Sequence, residues 1–359
     1  MTTSTGNAWS SGGSATVASP ELVVDDATLV LGIETSCDET AAALVMGGDD
    51  VVSNVVNTQV DVHAEFGGVV PEVASRAHLD TLNPVVARAL VEGGVDESRV
   101  DAVACTVGPG LVGALLVGVS AAKSLALAWE VPFVGVNHLE AHLYSASLED
   151  PTLEFPLVVL LVSGGHTMLV EMLDHGRYRL LGQTIDDAAG EAFDKVARFL
   201  DLGYPGGPAI DEAALLGDPE AIDFPRAILH DGYDFSFSGL KTAVMNHVRA
   251  NPDVGNADVA ASFQMAVVDV LVTKARRAAK DVAATGIVLG GGVAANSVLR
   301  EELLGACHAD GIQGFLPSRA MCTDNAAMIA AAGWHRLRLD GPTPLDVGAI
   351  PNLRLPLLD

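Results

Sequence analysis

The pattern with the clearest chemical potential is His138-Leu139-Glu140-Ala141-His142. If this segment is helical, His138 and His142 lie four residues apart and therefore share one helix face. Two imidazoles in that arrangement can bind one metal ion when a carboxylate from elsewhere completes the site. The alternative is two surface histidines, because the HxxxH spacing alone is weakly specific. The segment follows a predicted strand, and ligands bind at the carboxyl ends of such strands, which favours the metal site.

Asp324, in Cys322-Thr323-Asp324-Asn325, is the carboxylate that we select as the third ligand. The same local pattern is typical of a helix N-cap, and the local sequence alone favours that role for Asp324 or Thr323. Glu140 lies on a different helix face from the two histidines. It is therefore a poor match to the glutamate base of HExxH peptidases.

Two glycine-containing turns are candidates for binding an anion or a nucleotide. Ser163-Gly164-Gly165-His166-Thr167 follows an apolar strand, where glycines let an anion approach the backbone N–H groups. A plain hairpin turn explains it equally well. Gly290-Gly291-Gly292 lies between a strand and a helix, with Asn296 four residues further on. This turn favours a nucleotide, with Asn296 binding a sugar or base, over a tight packing turn.

Acidic residues cluster on or beside one predicted helix: Asp186, Asp187, Glu191 and Asp194. Positions 187, 191 and 194 share a helix face. Such a cluster usually means a solvated face, and it can also bind ribose hydroxyls or a magnesium ion. The chain has no GxxxxGK[ST] phosphate-binding loop and no GxSxG nucleophile elbow, which argues against a P-loop enzyme and an α/β-hydrolase.

The elements that must position these residues alternate between strands and helices. Apolar strands are predicted at 28–34 and 41–46, and a second strand–turn–strand unit at 157–163 and 168–172 repeats the plan. Helices are predicted at 78–92, 111–128, 138–145, 187–200 and 257–284, with a last helix through Trp334. This order predicts a duplicated α/β fold with a nucleotide cleft between its halves.

We expect four regions along the chain. Residues 1–27, rich in Ser, Gly, Thr and Ala, are predicted to be a disordered leader. Residues 28–150 form a first lobe and 151–345 a second, whose C-terminal helix can return to the first lobe. Residues 346–359 form a tail.

Composition narrows the class of protein. The 359 residues are 49% hydrophobic and carry a formal net charge of −26, which opposes non-specific binding to nucleic acid. The four cysteines form no CxxC pair, which argues against a disulfide framework and a cysteine zinc ribbon. The apolar runs are too short to cross a bilayer and no signal peptide is expected, so the predicted compartment is the cytoplasm.

Nine segments together resemble the TsaD family of tRNA N6-adenosine threonylcarbamoyltransferases, in its bacterial form. They are LGIETSCDETAAALV (31–45), GGVVPEVASRAHLD (67–80), VGPGLVGALLVGVSAAKSLA (107–126), VNHLEAHL (136–143), LLVSGGHTMLV (160–170), TIDDAAGEAFDKVARFLDLGYPGGPAID (184–211), DFSFSGLKTAV (234–244), GGGVAANSVLRE (290–301) and CTDNAAMIA (322–330). The resemblance implies a duplicated actin-like, heat-shock-ATPase-like (ribonuclease H-like) α/β fold with two lobes and a central nucleotide cleft. The leader before residue 28 departs from the family pattern.

The resemblance also implies the reaction. The family transfers a threonylcarbamoyl group from threonylcarbamoyl-AMP to N6 of adenosine 37 in tRNAs that read codons beginning with A, and releases AMP. Carried over by position, His138, His142 and Asp324 would hold Fe2+ (alternatively Zn2+), one per subunit. The implied substrate-binding positions are Leu161, Val162, Ser163, Gly164, Gly165, Asp194, Gly207, Asp211 and Asn296. The general base is not identified; Glu34, Asp38 and Glu39 are candidates, although hairpin or surface roles are favoured for each.

The implied partners are tRNA, a paralogous actin-like subunit of the TsaB type and a small P-loop ATPase of the TsaE type, with no membrane. A local basic patch of Arg76, Lys195, Arg198 and Lys241 would contact tRNA despite the negative net charge. The competing interpretations are a metallopeptidase, a sugar kinase or non-catalytic ATP-binding module of the same fold, and an inactive scaffold. The position of Glu140 opposes the first, and the HLEAH segment opposes the second. The intact candidate ligands oppose the third.

Overall fold

Ten strands form two five-stranded sheets in the computed structural model, which describes residues 22–150 and 152–358. The strands are β1 Leu29–Glu34, β2 Glu39–Met46, β3 Asp50–Thr58, β4 Ala102–Gly108, β5 Phe133–Asn137, β6 Leu157–Val162, β7 Thr167–Asp174, β8 Arg177–Gln183, β9 Gly286–Gly290 and β10 Gln313–Phe315. Both sheets follow one plan, because their strand orders are β3-β2-β1-β4-β5 and β8-β7-β6-β9-β10.

The strand directions repeat as well as the strand order. In the first sheet β1 is antiparallel to β2 and parallel to β4. In the second sheet β6 is antiparallel to β7 and parallel to β9 in the same way. The predicted strand–turn–strand units are therefore the equivalent hairpins β1–β2 and β6–β7.

Eleven α-helices connect and cover the strands in the described part of the chain. They are α1 Val60–Ala64, α2 Pro71–Gly93, α3 Val112–Ala128, α4 His138–Leu143, α5 Ala189–Phe199, α6 Gly206–Ala214, α7 Ser238–Ala250, α8 Asn256–Asp281, α9 Ser297–Asp310, α10 Arg319–Cys322 and α11 Ala326–Asp340. Short 3-10 segments lie at Glu97–Arg99 and Gly292–Ala295. None of the helices described is long and apolar enough to cross a membrane.

The chain divides into two compact units, each containing one sheet. The first unit comprises the described residues of 1–63, 69–152 and 324–359, and the second comprises 64–68 and 153–323. The C-terminal helix α11 thus belongs to the first unit. Residues 1–21 of the predicted leader lie outside the described residues. Near the end of this leader, the Asp25 carbonyl oxygen accepts a hydrogen bond from Trp334 Nε1 of α11 at 3.2 Å.

Small residues allow α11 to lie directly on the first sheet. A Cβ at Gly32 of β1 would lie 2.3 Å from the Ala326 carbonyl oxygen, and one at Gly333 would lie 2.4 Å from Ala104 Cβ. Ala326 to Ala332 are all completely buried. An apolar run of this kind, without a polar face, is typical of a helix that is buried on all sides. The close packing fixes the start of α11, and therefore Asp324 just before it.

Several elements differ from their predicted bounds. Helix α2 begins at Pro71, seven residues before the predicted start, because proline is well suited to the first helical turn. The helix predicted after the Gly290–Gly292 turn starts only at Ser297, because a short 3-10 segment, Gly292–Ala295, comes first.

Candidate functional site

The first candidate ligand pair lies at the start of a short buried helix. Strand β5 ends at Asn137 and α4 begins at His138. The Asn137 side chain caps this helix, since its Oδ1 accepts from Leu139 N at 2.9 Å and Glu140 N at 3.2 Å. The cap fixes the first turn of α4, so that His138 and His142 face the same side as the sequence predicts.

The structure brings the three predicted metal ligands together within the first unit. One nitrogen of each of His138 and His142 and one oxygen of Asp324 lie within 4.8 Å of one another. Asp324 Oδ1 is 3.4 Å from His138 Nε2 and 3.2 Å from His142 Nε2. Ligands about 2.1 Å from a tetrahedral ion are separated by about 3.4 Å, so these separations fit a metal ion.

The environment of His142 is a second observation that fits a metal ligand. Its side chain is fully buried, its Nδ1 has no hydrogen-bond partner among the described residues, and its Nε2 lies 3.2 Å from Asp324 Oδ1 without hydrogen-bond geometry. A buried imidazole without a partner is costly, whereas coordination would satisfy it. Two imidazole nitrogens and one carboxylate oxygen suit Fe2+ or Zn2+.

The N-cap role favoured by the local sequence for Asp324 or Thr323 is wrong. The residue that caps α11 is Asn325, whose side chain accepts from Met328 N at 3.1 Å. Because the adjacent residue takes the cap, the Asp324 carboxylate is available to the two histidines.

The charges of this site are strongly coupled. Burial alone would raise the pKa of the Asp324 carboxyl, but the adjacent His138 and His142 hold it well below its usual range. Burial likewise opposes protonation of His138, but Asp324 and Glu34 raise its pKa well above the usual value. In the nearby turn, burial and the negative charge of Asp324 raise the pKa of Glu39 to about 9. The site therefore concentrates negative charge, which a bound cation would offset.

Glu140 has a structural role rather than the role of a peptidase base. Its carboxylate is 1% exposed and bound by Arg336 of α11, with Nε 2.9 and 3.0 Å from the two oxygens. Arg336 Nη2 also lies 2.7 Å from Glu140 Oε1. The pair joins the helix that carries both histidines to the helix that follows Asp324. Glu140 is therefore engaged by Arg336, which opposes the metallopeptidase interpretation, as does its position in the sequence.

The predicted glycine turns lie next to each other in the second unit. Strands β6 and β9 are parallel neighbours, with Leu161 opposite Gly290, so their carboxyl ends meet at one edge of the sheet. Gly291 packs tightly, because a Cβ there would lie 2.5 Å from the Val162 carbonyl oxygen. Its φ of +86° also favours glycine.

Other glycines of these turns are open. A Cβ at Gly164, Gly165 or Gly292 would meet no atom within 4 Å. Packing therefore explains Gly291, while Gly164, Gly165 and Gly292 leave room for a ligand to approach the backbone.

The remaining predicted binding residues have different environments. Leu161 and Val162 are fully buried in β6, so their side chains form core rather than a binding surface. Asp194 Oδ1 accepts from Gly206 N at 2.8 Å, and this contact holds the start of α6 beside α5. The next residue, Gly207, has open space around its Cα.

Asp211 and Asn296 are brought together. Asn296 Nδ2 lies 3.3 Å from Asp211 Oδ1 and 2.7 Å from Gln264 Oε1. Asp211 also accepts from Ser297 Oγ at 2.7 Å. Asn296 is at the same time the N-cap of α9, accepting from Leu299 N at 2.9 Å. The two side chains are thus fixed in place by the helix that follows the glycine turn.

The acidic cluster is not a simple solvated face. Asp186 accepts hydrogen bonds from Ser236 Oγ at 2.6 Å and Phe237 N at 2.8 Å. Asp187 lies 2.9 Å from Lys195 Nζ and 2.8 Å from Lys241 Nζ. These contacts join the segment before α5 to α5 itself, to α7 and to the residues just before α7.

Sequence reasoning missed residues that support the metal ligands. Glu34, considered there only as a candidate base, lies 2.9 Å from His138 Nδ1 and is completely buried. Arg336 and the capping amide of Asn137 were not considered. A charged residue at the end of the otherwise apolar strand LVLGIE is the signal that would have identified Glu34.

Comparison with known proteins adds to this geometry. The TsaD family model, described as tRNA N6-adenosine threonylcarbamoyltransferase, matches residues 50–331. The enzyme of that name from Symbiobacterium thermophilum is 56% identical over 330 residues, which cover 91% of this chain and 97% of that relative. The one from Geobacter sp. (strain M21) is 54% identical over 330 residues, covering 90% and 95%.

A solved structure of HypF from T. kodakarensis matches with a TM-score of 0.61 and 15% identity, over 89% of this chain and 48% of that one. This likeness concerns the fold alone. It confirms the predicted duplicated actin-like α/β architecture.

Proposed function

Because the chain belongs to the TsaD family, we propose that it transfers the threonylcarbamoyl group of threonylcarbamoyl-AMP to N6 of adenosine 37 in tRNAs reading codons that begin with A. The observation that carries the proposal is the intact donor set of His138, His142 and Asp324 in a chain that aligns with nearly the whole of such enzymes. The reaction places the protein in the cytoplasm, where tRNA is modified.

The transfer is an acyl substitution. The N6 amine attacks the carbamoyl carbon, a carbon–nitrogen bond forms, and the bond from that carbon to the phosphate oxygen breaks. AMP leaves with the bonding electrons, and the amine loses one proton. A bound Fe2+, or alternatively Zn2+, would supply Lewis-acid stabilisation of negative charge on oxygen. His138, His142 and Asp324 would hold that ion.

The second unit would bind threonylcarbamoyl-AMP. The open space at Gly164 and Gly165 suits a phosphate or carboxylate, since backbone N–H groups in such turns bind anions. Ser163 adjoins them, and its own N–H already donates to the His166 carbonyl oxygen at 2.8 Å. Asp211 and Asn296, held in place by α9, suit the hydroxyls of a ribose. Gly207 lies at the start of α6, which the Asp194 side chain of α5 holds through Gly206 N, while Leu161 and Val162 would contribute only backbone atoms.

Basic residues would contact tRNA, although each already has an acidic or carbonyl partner. Arg76 pairs with Glu72 on α2, and Arg198 donates to the Gly67 carbonyl oxygen. Lys195 and Lys241 share Asp187. If charge reversal at all four leaves tRNA affinity unchanged in a filter-binding titration, this surface is not the tRNA site.

A paralogous actin-like subunit and a small P-loop ATPase would complete the active assembly. An apolar groove of about 350 Å³ between α2 and α3, lined by Leu79, Leu116 and Val117 among others, offers a protein partner surface on the first unit. Leu79 and Leu116 are 64% and 50% exposed. Co-purification with each partner, compared between wild type and Leu116→Asp, tests whether this groove binds the actin-like subunit.

The experiment that tests the function is mass spectrometry of nucleosides from tRNA incubated with the chain, its partner proteins, threonine, bicarbonate and ATP. We expect N6-threonylcarbamoyladenosine with the wild type and a loss of more than about 100-fold with His142→Ala, because a ligand should matter more than the residues that orient it. His308→Ala, at an exposed position of α9, is the matched control and should retain full activity. Product from His142→Ala at the wild-type rate would refute the metal role, and no product from the wild type would refute the function.

A further inference from the structure

We propose that Glu34 is a positioning residue that holds His138 in the ring orientation and tautomer required for metal binding. The proposal rests on the metal site of the proposed function. It concerns how that site is assembled rather than which reaction it serves.

The Glu34 carboxylate is placed by contacts from three directions. It lies at the end of β1 and is completely buried. Its Oε2 accepts from Thr106 Oγ1 of β4 at 2.6 Å and lies 2.9 Å from His138 Nδ1, while Oε1 accepts from Ser36 N. These partners leave the carboxylate little freedom to move, so it can fix the imidazole that contacts it.

The contact also determines which nitrogen of His138 is available. An ionised carboxylate only accepts hydrogen bonds, so Nδ1 must carry the proton. The other contacts agree with this acceptor role, because Oε1 accepts from the Ser36 amide and Oε2 accepts from Thr106 Oγ1. The Nε2 atom, which lies 3.4 Å from Asp324 Oδ1, is then the nitrogen that offers a lone pair to a metal ion.

His142 shows the contrast within the same site. Its Nδ1 is buried and has no hydrogen-bond partner among the described residues. Of the two imidazoles, His138 is therefore the one oriented by a carboxylate. Glu34 therefore orients one metal ligand before the metal binds. Loss of Glu34 should lower the affinity of the site for the metal.

The test is the affinity of the purified full-length chain for Zn2+ and Co2+, measured by competition with a chromophoric chelator. We expect Glu34→Gln to bind both ions about 10–100-fold more weakly, the range for loss of a residue that orients a metal ligand. The d–d absorption of the Co2+ complex should also change, because the His138 ring is no longer held. Glu171→Gln is the matched control, since Glu171 is also a buried strand glutamate but lies in the second unit.

Thermal unfolding separates a positioning role from a folding defect. If Glu34→Gln does not fold, Thr106→Val provides a milder test, because it removes only the 2.6 Å hydrogen bond to Glu34. It should weaken metal binding several-fold. Tight metal binding and an unchanged Co2+ spectrum in a folded variant would overturn the proposal.

The effect of Glu34→Gln on metal binding can be measured independently of the proposed reaction. Weakened metal binding in Glu34→Gln together with no tRNA product from the wild type would support Glu34 and refute the function. If the wild type is active, saturating metal should restore activity to Glu34→Gln, as expected for a residue that acts through His138. Failure of that rescue in a folded variant would refute the positioning role.

Discussion

The two equivalent hairpin turns of the duplicated fold supply different chemistry. In the first unit, the turn after β1 is polar and tightly bonded, with Glu34 held by Thr106 and by the backbone of Ser36. In the second unit, the turn after β6 contains Gly164 and Gly165, around which there is open space. The same strand order thus presents side chains in one unit and exposed backbone in the other. A duplicated scaffold can therefore support a metal site and an anion site without changing its topology.

The first way to test this comparison is to remove the side-chain contact that holds α4, the helix that carries His138 and His142. Arg336→Met leaves the buried Glu140 carboxylate without its guanidinium partner. We expect the free energy of unfolding to fall by about 3 kcal/mol, because a buried carboxylate that loses its oppositely charged partner is costly. Urea unfolding followed by circular dichroism measures it.

A matched control uses an exposed pair in the same unit. Arg76→Met breaks the pair with Glu72, where both side chains are more than three-quarters exposed, and should cost less than about 1 kcal/mol. Equal destabilisation by both substitutions would mean that the Glu140–Arg336 pair does not stabilise α4 and α11. Adding Glu140→Gln to Arg336→Met should recover part of the loss.

Local pattern was sufficient to predict most strands and the shared helix face of His138 and His142, but not the contacts that support these two residues. The i, i+4 spacing of His138 and His142 is a property of five consecutive residues, so the sequence alone reveals it. The hydrogen bond between Glu34 and His138 joins residues 104 positions apart, and only the parallel pairing of β1, β4 and β5 brings them together.

Two predictions about single residues depended on differences between adjacent residues. The N-cap prediction for Asp324 failed because Asn325 offers an equally good cap one residue later. The Gly290–Gly292 turn looked uniform in sequence, yet the proximity of the Val162 carbonyl makes Gly291 a packing residue and leaves Gly292 open. Local propensity does not distinguish such alternatives when neighbouring residues are chemically alike.

The second way to break the comparison is to add a side chain at the glycine turn. Gly291→Ala places a Cβ 2.5 Å from the Val162 carbonyl oxygen at a φ of +86°. We expect the free energy of unfolding to fall by about 2 kcal/mol, because both the contact and the backbone conformation are unfavourable. Gly292→Ala should change it by less than about 0.5 kcal/mol, since that Cβ would meet no neighbour.

The same pair of variants tests whether this turn of the second unit binds the nucleotide. If the open backbone binds the nucleotide, Gly292→Ala should weaken AMP binding in isothermal titration calorimetry while leaving stability nearly unchanged. Unchanged AMP affinity in that variant would leave the turn with a packing role only.

The smallest expected effect is the contribution of His78, which contacts the first unit's turn, to the pH dependence of stability. His78 is completely buried and links α2 to this turn, with Nε2 3.0 Å from the Cys37 carbonyl oxygen and Nδ1 2.8 Å from Thr40 Oγ1. Burial lowers its pKa below the usual value, so the folded state prefers the neutral ring. Below about pH 6.5 the unfolded chain binds more protons at this residue than the folded chain, and stability falls as the pH falls.

For one group the slope cannot exceed about 1.4 kcal/mol per pH unit, and we expect a total effect near 1 kcal/mol between pH 7 and pH 5.5. Urea unfolding at both pH values measures it, and hydrogen exchange of the Cys37–Glu39 amides reports whether this turn loosens first. The difference in stability between the two pH values should shrink in His78→Gln and stay the same in His308→Gln, where the side chain is exposed. If His78→Gln keeps the wild-type pH dependence, the turn is not coupled to this imidazole. The contrast with the second unit's turn would then rest on Glu34 and its partners.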